Sequence, residues 1–108
     1  MTGELLTFIA ILPDKEGAIG LRREKRPFHA ERSIGLIKQG IYSYGGAMTN
    51  EPFDPASGGL PSIIGSVITI HAPSKDAVYE LLQNDPYNNV WDFEKIQIVP
   101  FIVTPIPK

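Results

Sequence analysis

The order of apolar runs predicts a small α+β fold of the ferredoxin-like β-α-β-β-α-β type, shaped to pair with a second copy. Three observations predict it. Four short apolar runs alternate with two segments of helical spacing in that order. The first and third runs are apolar on both faces. The chain has 108 residues, 43% hydrophobic and 20% charged, which suits one core rather than two. Residues 1–108 are therefore expected to form one domain, with a Pro-rich tail over residues 104–108.

The first strand is expected from Leu5 to Leu12, stopped by Pro13. Leu6, Phe8, Ala10 and Leu12 share one face, and Leu5, Ile9 and Ile11 the other. An antiparallel sheet in a lone domain normally leaves one face polar. Here each face needs a cover, the domain's own helices on one side and a partner subunit on the other. Pro13 to Gly20 is a polar connection. The first helix is expected in two parts, because Pro27 either opens the main helix or kinks a longer one. From Ala30 the stripe Ala30, Ile34, Ile37 follows helical spacing and is the expected buried side, with Glu31, Lys38 and Gln39 away from it. Gly40 is the expected stop.

Ile41 to Thr49 reads as the second strand, with Tyr42 and Tyr44 on one face and a bulge or close approach at Gly45-Gly46. Asn50 to Pro61 reads as a loop, long for a hairpin connection. Ile63 to His71 is the third strand, with Ile64, Ile68 and Ile70 on one face and Ile63 and Val67 on the other. Ser74 caps the second helix, Asp76 lies in its first turn, and Ala77, Val78, Leu81 and Leu82 form its buried side. Asp85-Pro86 ends it, because a residue before proline avoids the helical region. An irregular segment from Asn88 to Phe93 carries the one Trp, and Glu94 to Val103 is the expected fourth strand.

Composition narrows the function classes. The net charge of −2 lacks the basic excess that phosphate binding demands, so a nucleic-acid partner is not expected. There is no cysteine, which removes disulfides, thiolate nucleophiles and Cys-type zinc sites. Met1-Thr2-Gly3-Glu4 has no basic leader, and the apolar run behind it is far short of a membrane span. A cytoplasmic protein with no membrane contact is the expectation. Gly17-Ala18-Ile19-Gly20 lacks dinucleotide spacing, Gly58-Gly59 is no P-loop, and no metal motif is readable. No cofactor and no metal are expected.

Two histidines remain. His71 ends a strand beside Ala72-Pro73 and reads as a hydrogen-bonded residue at a sheet edge. His29 lies about 100° around the helix from Ala30, on the border of the apolar stripe. Such a position can face a cleft and still reach water, which suits a general acid or base. It equally suits an amphipathic filler. Asp85 would fall below the core stripe if the second helix ran on, and a carboxylate there needs a partner. It either bonds a backbone N–H in a turn or orients an imidazole, as in triad logic. Arg22-Arg23, Lys25 and Arg26 form a basic cluster, either a solvated face or an attractor of an anionic ligand. Tyr42, Tyr44, Tyr87 and Trp91 are candidates to line a small pocket, or simply to pack.

These residues carry a family resemblance. Arg26-Pro27-Phe28-His29 resembles the Arg-Pro-x-His element of the YCII-related (YciI-like) domains, and Asn84-Asp85-Pro86-Tyr87 resembles their Asp-Pro-Tyr/Phe element. The likeness runs from Leu5 to Val103. It implies a dimeric α/β barrel, in which two ferredoxin-like sheets pack face to face. It implies a catalytic pair at His29 and Asp85. Beside that pair, the basic cluster and the aromatic residues make Arg26, Tyr44 and Tyr87 the substrate-binding candidates. One type of member is a dehydrochlorinase acting on a chlorinated hydroxyhydroquinone. The long loop over residues 50–61 and the Pro-rich tail depart from shorter members, so substrate does not transfer. Two readings stay open. One is an acid–base enzyme, lyase-like or isomerase-like, on a small aromatic or enolisable anion. The other is a non-catalytic ligand-binding or accessory domain on the same dimeric scaffold.

Overall fold

The computed structural model describes residues 5–104. In chain order the elements are β1 (Leu6–Pro13), α1 (Ile19–Lys38), β2 (Tyr42–Thr49), β3 (Ile63–Ala72), α2 (Lys75–Gln83) and β4 (Gln97–Pro100). The four strands form one antiparallel sheet in the order β2-β3-β1-β4. β1 and β3, the two doubly apolar runs, take the centre, where both strand edges are hydrogen-bonded. Met1 to Glu4 and the end of the tail, residues 105–108, lie outside the described residues.

Alternation along β1 sends Phe8, Ala10 and Leu12 into the core, where they meet Ile68 and Ile70 of β3 and Val78 and Leu82 of α2. The opposite face carries Ile9, Ile11, Val67 and Thr69, all half-buried, and Val99, which is 42% exposed. The expected second apolar face of the sheet is therefore present.

Capping chemistry sets the helix ends. The Ser74 hydroxyl accepts the Ala77 N–H at 3.1 Å and starts α2. Gly40 takes φ +76° and ends α1. The Gly40 N–H reaches the Ile37 carbonyl at 3.0 Å and the Ile41 N–H reaches Leu36 at 2.9 Å, the paired bonds of a Schellman turn.

Four expectations are corrected. First, α1 is one continuous helix rather than two parts; of the two alternatives for Pro27 the longer helix holds, with Pro27 inside it. Pro27 forfeits one bond to the Arg23 carbonyl, a loss borne on an exposed face. Second, the stripe Ala30, Ile34, Ile37 is not the buried side of α1. All three are exposed, Ile34 to 54%. The inward face instead carries Arg22, His29, Arg32 and Leu36. Charged residues turn inward because other elements bring buried counter-charges to meet them. Third, Tyr42 and Tyr44 do not share a face. A bulge inserts one residue between Tyr42, opposite Ile70, and Gly45, opposite Ile68. Tyr42 is buried and Tyr44 is 82% exposed. Fourth, β4 is limited to Gln97–Pro100 rather than Glu94 to Val103. The Asp92 side chain accepts the Glu94 N–H at 3.1 Å and the Asp92 carbonyl accepts the Lys95 N–H at 2.9 Å, so a turn takes the first residues of that stretch. The loop after β2 also contains a short 3-10 turn, Pro55–Ser57, capped by Asp54.

Gly65 marks where β3 crosses close to β1 and β2. A Cβ there would stand 2.6 Å from the Leu12 carbonyl oxygen and 2.5 Å from Met48 Cε. The methionine tip can move, but the backbone oxygen cannot. Gly65→Ala is expected to lower stability by about 1–3 kcal/mol, as overpacking does. Urea unfolding checks this, and an unchanged midpoint would show that the strands separate there without strain.

Candidate functional site

The site grows from the inward face of α1. Arg22 and His29 are seven residues apart, two helical turns, and Arg32 follows one turn later, so all three project on the same side. Each meets a partner from elsewhere in the chain.

Arg22 is buried. This sets it apart from Arg23 and Arg26 of the same basic cluster, which are exposed, and corrects the expectation of one solvated or anion-attracting group. Its Nε and Nη2 donate to the Asp14 carboxylate at 2.7 and 2.8 Å, and Nη2 also donates to Ser66 Oγ at 2.7 Å. The same hydroxyl accepts from Trp91 Nε1 at 3.2 Å. Asp14 follows directly on Pro13, the residue that ends β1, so the strand terminus itself delivers the carboxylate. The Arg22 guanidinium lies 4.6 Å from the centre of the Tyr87 ring.

Asp85 caps a 3-10 turn, Pro86–Asn89, and its Oδ1 accepts the Tyr87 N–H at 2.8 Å. Pro86 sits where an N–H has no partner to lose. Asp85 is 1% exposed, and its side chain is wholly buried. Its Oδ1 also stands 2.7 Å from His29 Nδ1, and its Oδ2 accepts from Arg32 Nη1 at 3.1 Å. The two alternatives read from the sequence, a backbone turn bond and an imidazole contact, coexist on one carboxylate. An acceptor beside Nδ1 requires that nitrogen to carry the proton. Nε2 of the neutral ring then holds a lone pair, and it has no protein partner among the described residues.

The His29 ring is held from its faces and edge as well. It stacks on Tyr87 with ring centres 4.0 Å apart, and Trp91 meets it edge-on at 5.9 Å. Tyr87 and Trp91 are nearly or fully buried, so they hold the imidazole rigidly. Arg32 also donates to the Leu81 carbonyl at 2.9 Å and contacts Tyr42 Oη at 3.4 Å.

His29, Arg26, Tyr44 and Tyr87 all border a cleft of about 730 Å³ between α1 and the β2 side of the sheet. Arg26 is exposed on its wall, Tyr44 stands out at its edge, and Tyr87 is the buried support of His29. His71 lies apart, its ring nitrogens 3.0 Å from Thr7 Oγ1 and 3.1 Å from Ser43 Oγ. Among the described residues no three His, Asp or Glu side chains gather closely enough to hold a metal ion. Arg32, Ser66 and Asp14 were not singled out from the sequence. Arg32 had a usable signal, its one-turn spacing from His29. Asp14 and Ser66 had none, since strand pairing brings them in.

Tyr42 offers a test of this packing. Burial, then the nearby Asp85 charge, push its phenol up to about 12, while the Arg32 guanidinium pulls the other way. A folded-state value above the ordinary 10.0 leaves stability untouched below about pH 10. Above that, the unfolded chain ionises first and stability falls as the pH climbs towards 12. Tyr87 is shifted in the same direction, chiefly by burial. Tyr42→Phe is therefore expected to reduce, not abolish, the alkaline loss. Urea midpoints measured across that range check it, and an unaltered profile would place the alkaline loss elsewhere.

Comparison with known proteins adds the following. No family model matches the chain. It is 27% identical over 97 residues to the aspercryptin biosynthesis cluster protein B of Emericella nidulans, a match covering 88% of this chain and 62% of that protein's length. A solved structure of a 5-chloro-2-hydroxyhydroquinone dehydrochlorinase from Burkholderia phenoliruptrix, in complex with 2,5-dihydroxybenzoquinone, matches with a TM-score of 0.73 over 90% of this chain and 94% of that one, at 17% identity. That likeness shows a shared fold. A further protein of Emericella nidulans, the derivative of benzaldehyde biosynthesis cluster protein C, is 33% identical over 85 residues, covering 78% of this chain and 85% of that protein. At that identity and coverage the two share a family: this chain belongs to the family of the derivative of benzaldehyde biosynthesis cluster protein C.

Proposed function

We propose that the chain is a YCII-related (YciI-like) domain working as a homodimeric acid–base enzyme on a small molecule, with His29 as the proton-moving group. The observation that carries this reading is the 2.7 Å contact between His29 Nδ1 and the buried Asp85 carboxylate, which leaves Nε2 for a substrate. The fold shared with a dehydrochlorinase, and relatives named for biosynthetic clusters, support a small-molecule role. The strand order β2-β3-β1-β4 supports the ferredoxin-like description.

In this mechanism Nε2 takes a proton from an activated C–H or O–H of the substrate. The electron pair left behind either expels a leaving group, as in a lyase, or is reprotonated at another carbon, as in an isomerase. Asp85 keeps the proton on Nδ1 and stabilises the imidazolium that forms. Arg32 holds the second carboxylate oxygen, so Asp85 cannot rotate away from His29. Arg26 attracts an anionic group, Tyr87 supports the imidazole and Tyr44 shields the opening. No cofactor takes part.

A second reading has its own observation. The Asp85 carboxylate joins α1 to the turn after α2 through Arg32 and the Tyr87 N–H, whatever His29 does. The same contacts would serve a non-catalytic accessory domain. Proton exchange into heavy water separates the two. A panel of enolisable hydroxyquinones and 1,3-diketones is expected to exchange faster with the protein than in buffer. His29→Ala is expected to lose about 10²–10⁴-fold of that enhancement. Exchange at the buffer rate for the whole panel, with only a stability loss in His29→Ala, would favour the accessory reading.

Dimerisation is proposed through the sheet face bearing Ile9, Ile11, Val67 and Val99, because leaving that apolar face in water is unfavourable. Sedimentation at micromolar concentration is expected to show a dimer, and Val67→Lys a monomer. A monomeric wild-type protein would remove this part of the proposal.

A further inference from the structure

The charge lining the cleft beside His29 is graded along its length. β1 and β3 are antiparallel, as are β3 and β2, so β2 runs with β1 and against α1. Tyr42 therefore lies towards the end of α1 that bears Ile37, and Ala47 towards the end that bears Arg22. All three arginines of the lining, Arg22, Arg23 and Arg26, fall on the N-terminal half of α1. Arg22 is already engaged by Asp14, while Arg23 and Arg26 are exposed and make no ion pair among the described residues. Beyond His29 the lining carries no charge and holds Ala30, Ser33, Ile37, Tyr42 and Ser43, whereas Ile19, Leu60, Pro61 and Ile63 add apolar surface at the arginine end. Among the described residues of the cleft none is acidic. From His29 to Ile37 the helix advances about 12 Å at 1.5 Å per residue.

A single small ring would meet only the middle of such a cleft. The volume of about 730 Å³ falls in the range of sites that enclose drug-sized ligands. The exposed apolar residues Ile37 and Tyr44 also find a use if a ligand covers them.

We propose that this cleft takes an amphiphilic acid: an anionic head at Arg23 and Arg26, the reacting carbon beside His29, and an apolar arm lying towards Tyr42 and Ile37. This rests on the reading of the cleft as the reaction site, and it specifies the class of substrate. The arm is the discriminating feature. It makes affinity grow with chain length, which a site for a bare anion or a single ring would not do.

Calorimetric titration with acetate, butyrate, hexanoate, octanoate and octylamine tests it, at fixed pH and salt. Affinity is expected to rise about fourfold per added methylene along the acids. Octylamine is expected to bind far more weakly than octanoate. Arg23→Ala with Arg26→Ala should weaken every acid by a common factor and keep the slope. Ile37→Asp should flatten the slope, whereas Ile34→Asp, equally exposed on α1 but outside the cleft, should leave it unchanged. A flat series, or octylamine binding as tightly as octanoate, overturns the proposal. So does a flat series in which Ile37→Asp dissociates a dimer, since the apolar end would then belong to a second copy. The ladder is also read in His29→Ala. A ladder kept there, with no proton exchange by the wild type, leaves the ligand class standing and removes the enzyme reading. Exchange with a flat ladder removes the ligand class alone.

Discussion

The buried carboxylate of Asp85 holds this structure together at its most consequential point. An ionised side chain that is wholly buried is tolerated only when its oxygens are fully engaged. Here three donors converge on it: the Tyr87 N–H, the His29 imidazole and the Arg32 guanidinium. They come from the turn after α2 and from successive turns of α1. Removing any one would leave the others facing an under-paired charge. The same contacts that satisfy Asp85 set the tautomer and rotation of His29, so stability and site geometry share one origin.

The Asp14–Arg22 pair repeats this logic one layer away. Both side chains are only 6% exposed, and Ser66 and Trp91 complete their hydrogen bonding. A buried ion pair is poor evidence for net stability. What it does here is geometric. It pins the first half of α1 to the end of β1 and puts a guanidinium near the face of Tyr87, the ring on which His29 stacks. The helix therefore packs by charge compensation more than by oil, and its apolar residues Ile34 and Ile37 are left outside.

The bulge in β2 has a comparable effect on the cleft. By inserting one residue after Tyr42 it keeps that ring in the core and turns Tyr44 out to the cleft's edge. In a regular strand both rings would point the same way. The space between α1 and β2 would then be closed by a second aromatic side chain.

The sequence by itself determined the element order, the two central strands and the Ser74 and Gly40 caps, which follow from local rules: two-fold alternation and residues that cap the nearest backbone. Spacing alone left His29 and Asp85 open to bland readings, and it was the resemblance of the motifs around them that put them forward as a pair. Only the tertiary structure decided which face of α1 turns inward, because the acids that draw Arg22 and Arg32 in are supplied by a strand end and a distant turn. It decided the short β4, since Asp92 commits the preceding residues to a turn, and it separated Tyr42 from Tyr44. It also decided that His29 and Asp85 meet at 2.7 Å across 56 residues of sequence. Periodicity carries information about a residue's neighbours on its own element. It carries none about the charges that another element will bring opposite them.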